Sequence, residues 1–274
     1  MTIYQALILG VVQGATEFIP VSSSAHLVLF PWLLGWQFEP GAAFVFDVLV
    51  QWGTLLAVAV FYRSDLWEMI RAAVVGLVEQ KPFGTPQARL AWLVVLATLP
   101  AVVLGFAFKD FFESMFGNPV GTATLLLGTA AILAASEYFG KFTRRLEALT
   151  WLDALIIGFA QAVAILPGIS RSGATIGGGL TRRLERPAAA RFSFLMSVPA
   201  LLGAGVLALV DLFEIPNWTS QAPALAAGFL AALVVGYLSI RWLIAYLSRR
   251  PLYIFSLYCL VAGLGCLAVG FARG

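Results

Sequence analysis

Six apolar runs, each about 20 residues long and nearly free of charge, restrict this 274-residue chain to one class of fold. They lie at 44–62, 90–108, 120–139, 192–211, 223–245 and 253–271. As a helix, each is long enough to cross the ~30 Å hydrocarbon core of a bilayer. In that solvent every backbone N–H and C=O must be satisfied within the protein, which leaves helices or closed barrels. The runs are continuous rather than alternating, so helices are predicted and a barrel is not. Only 11% of residues are charged, against about 25% in soluble domains, too few to cover a water-facing surface. The formal charge of +3 is small and the basic residues sit mostly between the runs. Nucleic acid is therefore not an expected partner, and membrane lipids are. The opening MTIYQALILGVV lacks the basic n-region of a signal peptide. Cys259 and Cys266, in one apolar run, read as inert packing thiols.

Two further apolar stretches, 3–34 and 152–180, are each cut near the middle, one by IPVSSS and the other by LPGISRSG. Their halves are too short to span. Either each stretch crosses as a broken helix, or each enters and returns as a re-entrant hairpin. The distribution of lysine and arginine discriminates. With two hairpins, the basic residues from Arg63, Arg71, Lys81 and Arg89 through to Arg249 and Arg250 fall on one side, and only Lys109 and Arg273 on the other. With two full crossings the bias vanishes. The predicted fold class is an all-α polytopic membrane protein with six transmembrane helices plus two re-entrant helical hairpins. Both termini are then outside, and the 63–89 and 140–151 loops are cytoplasmic. Arg171 falls on neither side, because it lies inside the second broken stretch.

The two broken stretches also match each other. An offset of 148 aligns Gly10, Gln13, Ser22 and Ser24 with Gly158, Gln161, Ser170 and Ser172. An offset of 146 aligns Phe46 with Phe192, Leu49 with Leu195, and DLWE at 65–68 with DLFE at 211–214. Residues 1–274 thus read as a single membrane domain with repeats at about 1–70 and 150–216. An odd number of spanning runs, three, separates the breaks, so the repeats are inverted. Inverted repeats with broken helices put binding sites near the midplane, at the repeat interface. The two breaks are expected to meet there.

Each break brings polar chemistry. Pro20 cannot continue the helix before it, and Ser22, Ser23 and Ser24 are favoured caps for a helix after it. Ser170 and Ser172 can cap a second half-helix in the same way. Two helix N-termini then face one spot with free N–H groups and positive dipole ends, a site suited to phosphate. Arg171 adds a planar fork for phosphoryl oxygens; the plainer alternative is that the serines only cap and Arg171 only pairs with a carboxylate. An arginine at membrane depth is functional by default. Gln13 and Glu17 share one helix face. Glu17 could ligate a divalent cation, orient a nucleophile, act as a base or neutralise Arg171. His26, the sole histidine, lies one turn after Ser22 and Ser23. Ser23, His26 and Glu17 can converge as nucleophile, base and orienter, with either Ser23 or His26 as the nucleophile. Asp47 and Gln51 are candidate supporting residues, and the 146 offset puts Ser193 at the position matching Asp47. Trp32, Trp36, Trp151 and Trp218 fit an aromatic belt.

QGATEFIPVSSSAH resembles the (E/Q)-x-x-x-E and P-V-S-S-x-x-H box of the BacA-type undecaprenyl-diphosphate phosphatases, and LPGISRSGATI resembles that family's P-G-x-S-R-S-x-x-T box. The similarity extends through FDVLVQWGTLLAV and RFSFLMSVPA. The resemblance implies an integral enzyme of the bacterial inner membrane, open to the periplasm. It would hydrolyse undecaprenyl diphosphate to the monophosphate carrier used in cell-wall synthesis, and its overproduction would give bacitracin resistance. It also implies a divalent cation, Mg²⁺ or Ca²⁺. Carried over by position, the catalytic residues are Glu17, Ser23, His26 and Arg171, with Glu17 also the metal ligand. Gln13, Ser22, Ser24, Ser170, Ser172 and Thr175 would bind the diphosphate. Gln13 stands where the family also allows glutamate, which weakens a two-carboxylate metal site. The expected partners are the lipid substrate and membrane lipids, with assembly as a homodimer left open. The rival reading is a polyprenyl-phosphate flippase, since inverted repeats and a midplane anion site serve transport equally well.

Overall fold

A computed structural model describes residues 1–115, 117–212 and 222–273. Within them the elements are helical, apart from one isolated bridge between Arg144 and Leu184. The first broken stretch gives α1 (Ile3–Phe18) and α2 (Ser23–Leu34). Next come α3 (Pro40–Phe61), α4 (Arg63–Val78), α5 (Pro86–Ala107), the short α6 (Lys109–Met115) and α7 (Pro119–Phe139). A 3₁₀ turn at Leu146–Ala148 leads into the second broken stretch, α8 (Trp151–Val163) and α9 (Arg171–Thr181). The chain ends with α10 (Arg186–Leu212), α11 (Ala222–Leu247) and α12 (Tyr253–Arg273).

Among the described residues, five helices are long and apolar enough to cross a membrane: α3 from Ala43, α5, α7, α11 and α12. The sixth expected run, 192–211, lies inside α10. The end of the DLFE match (Phe213 and Glu214), the repeat boundary at 216 and Trp218 lie outside the described residues. One expectation is corrected. The 63–89 segment is not simply a loop, because its first 16 residues form α4. Arg63, Asp65, Glu68 and Arg71 disqualify it as a membrane span, but they do not prevent a helix. Met69 is buried while Trp67, Ile70, Val74 and Val78 face outward, so α4 packs against α5 and leaves an apolar face uncovered.

The first half of each broken stretch is anchored on a long helix, α1 along α11 and α8 along α5. Lipid tails are as apolar as leucine, so helices in a membrane associate through close packing rather than through the hydrophobic effect. Glycine permits the required approach. A Cβ on Gly10 would stand 2.3 Å from the Gly228 carbonyl oxygen, and one on Gly158 would stand 2.4 Å from that of Ala97. Around these pairs α3 packs on α10 and α11, α7 packs on α12, and α9 is wedged among α7, α8 and α10. Phe18 at the end of α1 meets Phe194 of α10 edge-on, with ring centroids 5.4 Å apart. The second broken stretch is fixed at the end away from its break by Asp153, fully buried, which accepts hydrogen bonds from Arg144, Arg182 and Thr150. The two breaks therefore lie inside the bundle, next to each other.

Candidate active site

Helix α1 stops where the sequence predicts. Ile19 turns to extended backbone and Pro20 follows. Ser22 then caps α2, its Oγ accepting from the Ala25 N–H at 3.3 Å and lying 3.2 Å from Ser24 Oγ. The second break repeats this: Ser170 caps α9, accepting from the Gly173 N–H at 3.0 Å and lying 3.2 Å from Ser172 Oγ. One difference separates the two caps. Ser22 sits at φ +69°, a region that disfavours any residue with a side chain, whereas Ser170 has an ordinary φ of −67°.

The breaks touch. The Gly168 N–H reaches Ser24 Oγ at 3.4 Å, and a Cβ on Gly173 would lie 3.5 Å from Pro20 Cβ. Each break is also held from behind by a long helix. Thr129 of α7 donates to the Gly168 carbonyl at 2.8 Å and accepts from the Ser170 N–H at 2.8 Å. Cys259 of α12 lies 3.9 Å from the Pro20 carbonyl oxygen.

Glu17 is the hub. One carboxylate oxygen accepts from Arg171 Nη2 at 2.9 Å. The other accepts from Ser23 Oγ at 2.6 Å and from Gln13 Nε2 at 3.0 Å. The carboxylate is 7% exposed, so the ion pair is weakly screened. Arg171 spends only Nη2 on it; Nε and Nη1 are buried with no acceptor among the described residues. Buried N–H donors are normally satisfied, and leaving one unpaired costs roughly 1–3 kcal/mol, more on a charged group. The arrangement therefore has unused hydrogen-bonding capacity of the kind an anion would satisfy.

The remaining expected residues divide. Ser22, Ser24, Ser170 and Ser172 line the junction. Thr175 is fully buried and turned away from it, donating to the Arg171 carbonyl at 2.8 Å and sharing a 2.6 Å hydrogen bond with Ser193 Oγ. His26 is close in sequence to Ser23, but its ring bonds elsewhere: Nδ1 is 2.7 Å from the Ser22 carbonyl oxygen and Nε2 is 2.7 Å from Tyr258 Oη. Ser23 is thus brought to Glu17 and not to His26. Among the described residues, the side chains of Asp47 and Gln51 join no part of this network.

Three participants escaped the sequence reading: Thr129, Tyr258 and Ser193 in its actual role. The 146 offset had marked Ser193 only as the counterpart of Asp47. Nothing in the sequence distinguishes Thr129 or Tyr258 from other residues of their helices.

Among the described residues, no three His, Cys, Asp or Glu side chains come together as a metal cage. Gln13 turns its amide nitrogen to Glu17, and its Oε1, buried without a partner among the described residues, would face the carboxylate with the amide turned over. One carboxylate and one amide oxygen fit a hard cation of the Mg²⁺ type, which keeps waters and draws further ligands from substrate phosphates.

A family model described as "Bacitracin resistance protein BacA" matches residues 6–265. Similar proteins include the undecaprenyl-diphosphatase of Chlorobaculum tepidum, 43% identical over 277 residues covering 98% of this chain and 97% of that one. Another is the undecaprenyl-diphosphatase of Thermomicrobium roseum, 41% identical over 281 residues with 100% of both chains covered.

Proposed function

The chain belongs to the family of the bacitracin resistance protein BacA, and we infer that it is a multi-pass membrane undecaprenyl-diphosphatase working at the junction of its two broken helices. It releases inorganic phosphate and leaves undecaprenyl phosphate. One observation carries the siting of this chemistry: Arg171 shares Glu17 with the Ser23 hydroxyl while two of its buried nitrogens, Nε and Nη1, have no acceptor among the described residues.

The diphosphate is held by Arg171, by the first-turn N–H groups of α2 and α9, and by the hydroxyls of Ser22, Ser24, Ser170 and Ser172. Phosphoryl transfer needs mostly positioning and charge stabilisation of this kind. Arg171 turns its planar fork to the terminal phosphate, and Glu17 thereby loses its counter-charge. A carboxylate without its partner cation is the stronger base, and the Ser23 proton is already directed at it. Ser23 Oγ attacks the terminal phosphorus as its proton passes to Glu17. The anhydride P–O bond breaks and undecaprenyl phosphate leaves. Water then attacks the phosphoserine with His26 accepting its proton, the P–O bond to Ser23 breaks to free phosphate, and the proton held by Glu17 returns to Ser23 Oγ. A Mg²⁺ or Ca²⁺ ion bound beside Glu17 and Gln13 would neutralise phosphate charge.

The same reading places the chain in the bacterial inner membrane with α1–α2 and α8–α9 as re-entrant hairpins in an inverted repeat, six spanning helices, both termini periplasmic and the site open to that side. All the residues invoked come from one chain, so the chemistry does not require a homodimer.

The test is to incubate detergent-purified protein with substrate labelled in the terminal phosphate and quench it in acid. Labelled phosphate on a Ser23 peptide is expected, and Ser23→Ala abolishes both the label and the release. A phosphohistidine at His26 would transfer the nucleophile's role to that residue. Release no faster than from Arg171→Ala protein would favour the flippase.

A further inference from the structure

His26 is hydrogen-bonded at both ring nitrogens, and its partners fix where the proton sits. The Ser22 carbonyl oxygen, 2.7 Å from Nδ1, can only accept, so Nδ1 carries the hydrogen. Nε2 then holds the lone pair, and the Tyr258 hydroxyl at 2.7 Å donates to it. Tyr258 comes from α12, 232 residues away, and its ring lies nearly parallel to the imidazole, 10° apart with centroids at 5.7 Å. The carbonyl on the other side of His26 belongs to the residue at φ +69°, immediately before Ser23. A chain of hydrogen bonds thus runs from Tyr258 through His26 to the strained peptide that aims Ser23.

The lone pair that would accept a proton during hydrolysis is therefore already occupied. Hydrogen bonds to charged oxygens are stronger than neutral ones, so a bound diphosphate outcompetes the imidazole for the tyrosine hydroxyl. We propose that Tyr258 is a positioning residue for His26: its hydroxyl caps Nε2 and holds the ring on the Ser22 carbonyl before substrate binds, then turns to a phosphoryl oxygen and releases Nε2 as the base. The proposal rests on the reading of His26 as a proton acceptor in the phosphatase reaction.

The ionisable groups on neighbouring elements are otherwise engaged. Glu17 of α1 is paired with Arg171 of α9, and Glu137 of α7 with Arg186. On α12, Cys259 lies against the Pro20 carbonyl, Cys266 is buried, and Arg273 donates to the Trp32 and Leu33 carbonyls. Among the described residues, only Ser22 and Tyr258 hydrogen-bond to the ring.

The experiment follows the pH titration of ¹⁵N-labelled histidine in full-length, substrate-free protein in detergent, with phosphate release as a second readout. His26 is the sole histidine, so the label reports this ring alone. Removing the donor in Tyr258→Phe leaves Nε2 a stronger base before substrate binds, and the acidic limb of the ¹⁵N titration curve moves to higher pH by about half a unit to one unit, roughly 3- to 10-fold in the protonation constant. The Nε2 resonance loses its hydrogen-bonded position. Replacing Tyr258 by 3-fluorotyrosine, a stronger donor, moves the limb the opposite way. A tyrosine that only packs would change the overall rate and leave the limb in place. If His26→Ala is inactive while Tyr258→Phe keeps the wild-type limb and spectrum, the role of Tyr258 is overturned alone. If His26→Ala keeps the wild-type rate, the base reading fails, and this proposal fails with it.

Discussion

Ser23 and Arg171 are each the first residue of a half-helix, separated by the same 148 positions that relate the two breaks, and they reach opposite oxygens of the Glu17 carboxylate, at 2.6 and 2.9 Å. The position that carries a hydroxyl in the first broken stretch thus carries a guanidinium in the second. Only together do the two breaks place a hydroxyl and a guanidinium on one carboxylate.

Arg171→Lys tests the fork. Lysine keeps the charge but presents no planar array of donors, so it cannot serve Glu17 and a phosphate together as Nη2, Nε and Nη1 can. Loss of one well-placed donor in a closed site typically costs about 10²–10³ in rate. Phosphate release by Arg171→Lys is expected to fall by that factor, and by more in Arg171→Ala. In the alanine variant Glu17 is also left buried without its cation, a loss of about 3–5 kcal/mol that should appear as a lower thermal midpoint in detergent.

Glu17→Gln separates charge from shape. The amide can still accept from Ser23, but it cannot take the proton. The expected outcome is a fall in kcat of about 10²–10⁴ with little change in KM, and no labelled Ser23. A rate within a few-fold of wild type would mean that Ser23 passes its proton elsewhere.

Much of this site was legible because its signals are local. A proline followed by serines ends one helix and caps the next whatever surrounds it, and Ser22 and Ser170 behave alike for that reason. The charge count hid α4, since Arg63, Asp65, Glu68 and Arg71 disqualify it as a span without preventing a helix. His26 and Tyr258 show a different limit. Proximity in sequence put His26 with Ser23, but a ring nitrogen goes to the best acceptor or donor available in three dimensions, and here one is supplied by a helix 232 residues away. Thr175 matched a binding motif, yet its hydroxyl is held by the backbone of Arg171 and by Ser193.

Gly10→Ala should loosen α1 from α11. The added methyl would meet the Gly228 carbonyl oxygen at 2.3 Å, and backbone cannot step aside as a side chain can. Overpacking of this kind costs about 1–3 kcal/mol. Gly265→Ala is the control, because nothing lies within 4 Å of its added Cβ. Thermal unfolding in detergent should show a drop for the first and none for the second.

Asp153 gives the fold an acid-sensitive fastening. Burial works to raise its pKa, but the hydrogen bonds from Arg144, Arg182 and Thr150 outweigh that and hold the carboxyl well below the usual range. A depressed carboxylate contributes stability that is fully present above its unfolded pKa of about 3.9 and is lost as pH falls below that toward the folded value. Wild-type protein should therefore lose stability between about pH 4 and the acid limit, while Asp153→Asn, already weakened by about 3–5 kcal/mol, should lose less over the same range. Parallel unfolding curves for the two proteins would show that Asp153 is not the fastening.

Gln13→Glu addresses the cation. With one carboxylate at the junction, already neutralised by Arg171, the protein has little hold of its own on Mg²⁺, and most ligands must come from the diphosphate. Titration calorimetry of substrate-free wild-type protein is expected to show no Mg²⁺ binding at concentrations that fully support turnover, and chelator should abolish activity without lowering the thermal midpoint. A second carboxylate one helical turn before Glu17 changes the balance, because two anionic oxygens then face the cation before substrate arrives. The Mg²⁺ concentration for half-maximal rate should fall in Gln13→Glu, and direct binding should become measurable. If that concentration is unchanged, the cation does not sit between residues 13 and 17.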